Sequence, residues 1–180
     1  MTRTHILIAA YLAAIVIANV TTALLIATWP AVVIVNAALW IGADLVLRDA
    51  LHQTWEQRNL WRRMAALIAT GSVLSALVNL AALPVALASC IAFLVSGAGD
   101  ALVFARLRRY SWLARANGSN VAGAILDSIV FLSCLAALGG LPWALVPMLA
   151  AGQSLAKIAG GAVWSVVLSG RTQNVERAQR

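Results

Sequence analysis

The chain has 180 residues, 62% of them hydrophobic and only 11% charged. A water-soluble domain carries roughly a quarter charged residues, so this composition points instead to an integral membrane protein. The net charge of +7 does not mark a nucleic-acid binder, because the basic residues fall between apolar spans rather than along one face.

In chain order, hydropathy with Pro, Gly and Arg punctuation predicts six membrane spans. The first, about 5–27 ("HILIAAYLAAIVIANVTTALLIA"), exceeds the roughly 7–15 apolar residues of a signal peptide and is expected to stay as a helix. Asn19 is the strong polar residue deep within it. After "TWP" comes a span at about 31–48, where "AVVIVNAALW" runs into "IGADLVLRDAL". Here Asn36, Trp40, Asp44 and Arg48 recur every four residues, a spacing that puts them on one face of an α-helix. Arg48 and Asp49 are expected at the headgroup boundary. Past Arg58, Arg62 and Arg63, the third span covers about 64–82, and "ALP" leads into the fourth, about 85–105, with Ser96 stacked on Asp100. Beyond Arg106, Arg108, Arg109 and Arg115, the fifth covers about 118–138, with Asn120 and Asp127 two turns apart. "GGLP" opens the sixth, about 143–168, where Gln153 stacks on Lys157. Residues 1–170 read as a single six-helix domain, and "RTQNVERAQR" (171–180) as a disordered cytoplasmic tail.

The connections alternate in charge. "TWP", "ALP" and "GGLP" carry none, whereas 12 of the 13 basic residues lie at the termini and in the other two loops. The positive-inside rule places both termini in the cytoplasm, and the expected location of this multi-pass chain is the cell (inner) membrane. The expected fold is therefore all-α, a compact bundle of six transmembrane helices.

A charged side chain at mid-membrane costs at least about 2.5–3.5 kcal/mol and normally faces the bundle interior with a partner. Five helices here contribute a polar face, and four of those faces include an ionisable group. The expectation is that Asn19, Asn36, Trp40, Asp44, Ser96, Asp100, Asn120, Asp127, Gln153 and Lys157 converge on one intramembrane cavity. Pair by pair, a plainer alternative stays open: Asp127 with Lys157 as mutual neutralisation, Asp44 with Arg48 as an interfacial pair. Cys90 and Cys134 lie in apolar spans, and His5 and His52 are isolated, so neither a metal nor a cofactor is implied. Trp55, Trp61, Trp112 and Trp143 suit an interfacial belt, and Gly97, Gly99, Gly123, Gly160 and Gly161 suit close helix approach.

A membrane-embedded carboxylate can accept two adjacent N–H bonds from one edge of a planar ligand, with Asn or Gln complementing the remaining edge. Asp127 or Asp100 is the expected bidentate acceptor, and Asn19, Asn120 and Gln153 are further hydrogen-bonding groups. Trp40 would stack, and Lys157 would hold a carboxylate ionised or read a ring acceptor.

Four segments in order, "GADLVLRDALHQTW", "SGAGDALVFARLRR", "SNVAGAILDSIVFL" and "GQSLAKIAGGAVW", resemble the VUT family, also called queuosine precursor transporters. The resemblance spans nearly the whole chain. It departs from many members at Gly97, where they carry an acidic residue. It implies uptake of 7-deazaguanines such as 7-cyano-7-deazaguanine or its aminomethyl relative, not catalysis, with a purine-like small molecule and the bilayer as partners. The adjacent N–H donors of such a guanine-like ring would match the bidentate carboxylate.

Two readings from other classes compete. Membrane CDP-alcohol phosphotransferases bind a divalent metal through a D-G-x-x-A-R…G-x-x-x-D-x-x-x-D pattern. "GDALVFAR" with "GAILDSIVF" imitates it, but Gly99–Asp100 is reversed, Arg106 is too far on, and Phe131 takes the last aspartate position. A non-catalytic anchor or assembly protein would show no saturable ligand. The sequence leaves open whether transport uses a proton, an ATP-driven module or a downhill gradient, and whether copies associate.

Overall fold

A computed structural model describes residues 3–55 and 59–178. Arg58 and Arg180 lie outside the described residues, as do the side chains of Asp49, His52, Trp112, Arg115, Arg171 and Arg177. The described chain forms α1 (Arg3–Leu25), α2 (Val32–Asn36), a π-helical turn (Ala37–Ile41), α3 (Gly42–Thr54), α4 (Leu60–Val78), α5 (Leu83–Arg106), α6 (Trp112–Ala137) and α7 (Val146–Ala178). Because α2, the π turn and α3 run on as one rod, these make six rods, with no strand among the described residues. Of the described helices, Arg3–Leu25, Leu80–Arg106 and Gly118–Ala137 are long and apolar enough to cross a bilayer.

Punctuation in the sequence sets the ends. Asn79 accepts a hydrogen bond from the Ala81 amide at 3.0 Å, opening a short 3-10 turn, and Pro84 sits in the first turn of α5, where its missing N–H costs nothing. α6 stops at Gly139, which takes φ of 78°. There the Gly140 amide reaches the Leu135 carbonyl and the Gly139 amide reaches Ala136, a Schellman-type ending. α7 runs on past the sixth predicted span as far as Ala178.

The rods close into a ring. α1 packs on α3 and α4, α4 on α5, α5 on α6, α6 on α7, and α7 on α3 and the π turn. The α5–α6 seam is antiparallel, with Ser96 beside Asp127 and Gly123 against Asp100. α7 crosses the second rod backbone to backbone: a Cβ on Gly160 would strike the Ala38 carbonyl, and one on Gly42 would lie 2.8 Å from the Gly160 carbonyl carbon. Small residues at such a crossing let helices approach closely without lipid between them.

Two apolar clusters hold the ring. One, built on Val33, Ala88, Ala92, Phe131, Leu132, Leu135 and Leu149, lies toward the uncharged loops. The other joins Tyr11, Leu51, Met64 and Ile68 toward the arginine-rich loops. The outside is apolar too, with Leu77, Leu80, Leu155 and Val166 at 69% exposure or more, while Lys157 is only 3% exposed. Oil outside and charge inside is the arrangement a lipid solvent selects.

Candidate functional site

Between the two clusters lies a cavity of about 100 Å³, enough for several waters or one small ring system. Tyr11, Asn19 and Thr22 face it from α1, Asn36 and Asp44 from the second rod, and Ser72 from α4. Ser89 and Phe93 enter from α5, Asp127 and Phe131 from α6, and Gln153 and Lys157 from α7.

Its electrostatic centre is Lys157. The ammonium forms an ion pair with Asp127 Oδ2 and donates also to Ser128 Oγ (3.1 Å) and Gln153 Oε1 (3.4 Å). An ammonium has three N–H donors, and all three are used. The pair is unequal in exposure: the Lys157 side chain is 4% exposed and that of Asp127 is 27% exposed. Asp127 is therefore the member that opens into the cavity. Its Oδ1 accepts one longer bond from Ser96 Oγ at 3.4 Å. A carboxylate has about four acceptor positions, so Asp127 keeps capacity for an incoming donor.

The amides are more committed than the sequence suggests. Asn36 donates to the Ala18 carbonyl (3.2 Å) and to Thr21 and Thr22 (both 2.9 Å), and accepts from Thr21. It bolts α2 to α1. Asn19 joins α1, α4 and α5, donating to Ser75 Oγ at 3.1 Å and accepting from Ser89 Oγ at 3.0 Å. Gln153 donates to the Val33 carbonyl at 3.4 Å and accepts from Lys157. On α3, Asp44 receives a hydrogen bond from the buried Tyr11 hydroxyl, with Arg48 also close to that phenol.

The structure thus gathers Asn19, Asn36, Asp44, Asp127, Gln153 and Lys157 around one cavity. Ser96 stands just behind, touching Asp127. Asp100 lies one turn beyond it, off the cavity, against Gly123, with Oδ1 buried and unpartnered. Trp40 and Asn120 depart from the expected convergence. The predicted stripe assumes α-helical spacing, but the π turn over Ala37–Ile41 adds a residue to that turn. Ile41 takes the cavity position and Trp40 is rotated off it. On α6 the buried seam follows the four-residue row Ser119, Gly123, Asp127, which leaves Asn120 exposed on the neighbouring row.

Tyr11, Thr22, Ser72, Ser89, Phe93 and Phe131 are cavity residues that sequence reasoning missed. Helical spacing held part of the signal, since Tyr11, Ile15, Asn19 and Thr22 recur every three or four residues on one face of α1.

The family described as "Putative vitamin uptake transporter" matches residues 2–169. No curated protein and no solved structure matches the chain. With nearly every residue of an apolar helical ring covered by that match, the chain belongs to the vitamin uptake transporter family of multi-pass membrane proteins.

Proposed function

We propose that the protein takes up a queuosine precursor, a 7-deazaguanine such as 7-cyano-7-deazaguanine or its aminomethyl relative, across the cell membrane into the cytoplasm. The observation that carries this reading is the placement of the Asp127 carboxylate: braced by Lys157 from behind, it opens its free acceptor positions into a cavity walled by Phe93 and Phe131. A guanine-like edge offers two adjacent N–H donors to such a carboxylate, and the aromatic rings suit a flat heterocycle. A ligand without those donors leaves the open acceptor positions of a partly desolvated carboxylate unfilled, which is a basis for rejection. Asn19, Asp44 and Gln153 supply the remaining polar wall. The arginine-rich ends face the cytoplasm, as the positive-inside rule requires.

A metal-dependent phosphotransferase is the weaker reading, because a divalent cation takes several oxygen ligands and the Lys157 ammonium paired with Asp127 would repel a cation placed beside that carboxylate. The test is genetic. Bacteria lacking both their own transporter and precursor synthesis would express this chain and be fed 7-cyano-7-deazaguanine. Queuosine in their transfer RNA supports the proposal. Its absence, with the protein present in the membrane, overturns it.

A further inference from the structure

Ser72 is an anomaly among the hydroxyls of this ring. Buried or lipid-facing, a helical Ser or Thr ordinarily turns its hydroxyl onto a carbonyl one turn back. Ser75, Ser128 and Ser154 do so at 2.7–2.8 Å, and Thr70, two residues from Ser72, does so at 2.8 Å. Ser72 does not. Its Oγ is buried and has no hydrogen-bond partner, the one such hydroxyl among the described residues, and the residue lines the central cavity.

Its position matters as much as its lack of a partner. α4 packs on α1 and α5, whereas α7 packs on α6 and α3. Ser72 and Lys157 therefore face the cavity from opposite sides of the ring, with Phe93 and Phe131 also in its wall. The Asp127–Lys157 pair and the unpartnered Ser72 hydroxyl therefore stand across the cavity from one another.

We propose that Ser72 is a specificity-determining residue whose Oγ hydrogen-bonds the far end of the transported molecule while Asp127 holds the near edge. This rests on the uptake reading above and sharpens it. The ligand is a flat molecule with hydrogen-bonding groups at two opposed ends. For a 7-deazaguanine held by its amide and amino N–H edge, the end that reaches Ser72 is the five-membered ring, through its nitrile or its ring N–H. A molecule polar at one end only leaves either the carboxylate or the hydroxyl unpaired, and both cost binding in a site shielded from water.

The experiment uses the purified full-length protein in detergent, wild type and Ser72→Ala. Three probes are titrated: 7-cyano-7-deazaguanine, 7-deazaguanine (no nitrile) and the 9-methyl derivative of the cyano compound (ring N–H blocked). Ser72→Ala is expected to weaken the cyano compound by roughly three- to tenfold, the worth of one hydrogen bond. That penalty is expected to vanish for whichever analogue lacks the group that Ser72 reads. The ligand-free melting temperature should stay level or rise, since the alanine removes a buried hydroxyl without a partner. Equal affinity of both proteins for all three probes overturns the assignment, as does an equal penalty on all three. A fall in ligand-free melting temperature of several degrees also overturns it, by making the hydroxyl structural. If the wild type binds none of the probes, the uptake reading itself fails and this assignment falls with it. Wild-type binding with an indifferent Ser72→Ala sinks only the assignment.

Discussion

Lys157 on α7 and Asp127 on α6 meet across the helix interface so that the ammonium is closed in and the carboxylate is left partly open to the central cavity. Removing one partner of a buried pair leaves an uncompensated charge and costs about 3–5 kcal/mol. Lys157→Met is therefore expected to lower stability by about 3 kcal/mol, read as thermal unfolding in detergent. The double variant Lys157→Met/Asp127→Asn should recover most of that loss yet stay inactive in uptake. Additive losses would show that the two side chains do not act as a pair.

The crossing of α7 over the π turn makes a sharper steric prediction. A Cβ on Gly160 strikes the Ala38 carbonyl, a backbone atom that cannot swing aside, whereas one on Gly161 meets only Leu45 Cδ1 at 3.7 Å. Gly160→Ala should cost about 1–3 kcal/mol by overpacking, while Gly161→Ala, next to it in sequence, should unfold within a degree or two of wild type. Equal melting temperatures for the two variants would contradict the backbone contact.

Asn36 tests the division between holding the ring and reading a ligand. Its amide reaches Ala18, Thr21 and Thr22, so Asn36→Ala strips three acceptors of α1 of their donor. A loss of about 1–3 kcal/mol is expected, with α1 as the first element to gain hydrogen exchange. Unchanged protection of residues 18–22 would mean that the amide is not a tie.

Aromatic walls give a fourth contrast. Phe93 lines the cavity, with its ring stacked on Trp61 at 6.0 Å between centroids, whereas Trp40 and Asn120 lie off it. Phe93→Ala should weaken binding of 7-cyano-7-deazaguanine by about tenfold, the scale of one base–aromatic contact. Trp40→Ala and Asn120→Ala should stay within about twofold, since neither side chain lines the cavity. The reverse pattern would place the ligand elsewhere.

Much of this was legible before any coordinates. The six rods follow from Pro30, Pro84, Pro142 and the arginine clusters that interrupt apolar runs, because lipid forces backbone polar groups into helices. The meeting of Asp127 with Lys157 was one of the open pairings, since a charge in such a helix requires a partner. The π turn was not legible: nothing in "AALWI" distinguishes it from an α-helical turn, and one extra residue per turn was enough to replace Trp40 by Ile41 in the cavity wall. Asn120 failed for a related reason, because a seven-residue spacing and a four-residue row diverge, and the α5 contact chose the row through Ser119 and Gly123. Phe93, Phe131 and Ser72 were hidden by composition: a phenylalanine among leucines, or a serine among alanines, does not reveal which way it faces until neighbours are placed.

The account depends most on Asp127 as the group that recognises the ligand, and equilibrium binding of 7-cyano-7-deazaguanine to the purified protein tests it most directly. Wild type should bind saturably, and Asp127→Asn, confirmed folded, should bind at least about 30-fold more weakly, as expected when a buried charged hydrogen-bond partner is removed. Asp127→Asn binding as tightly as wild type would contradict the account.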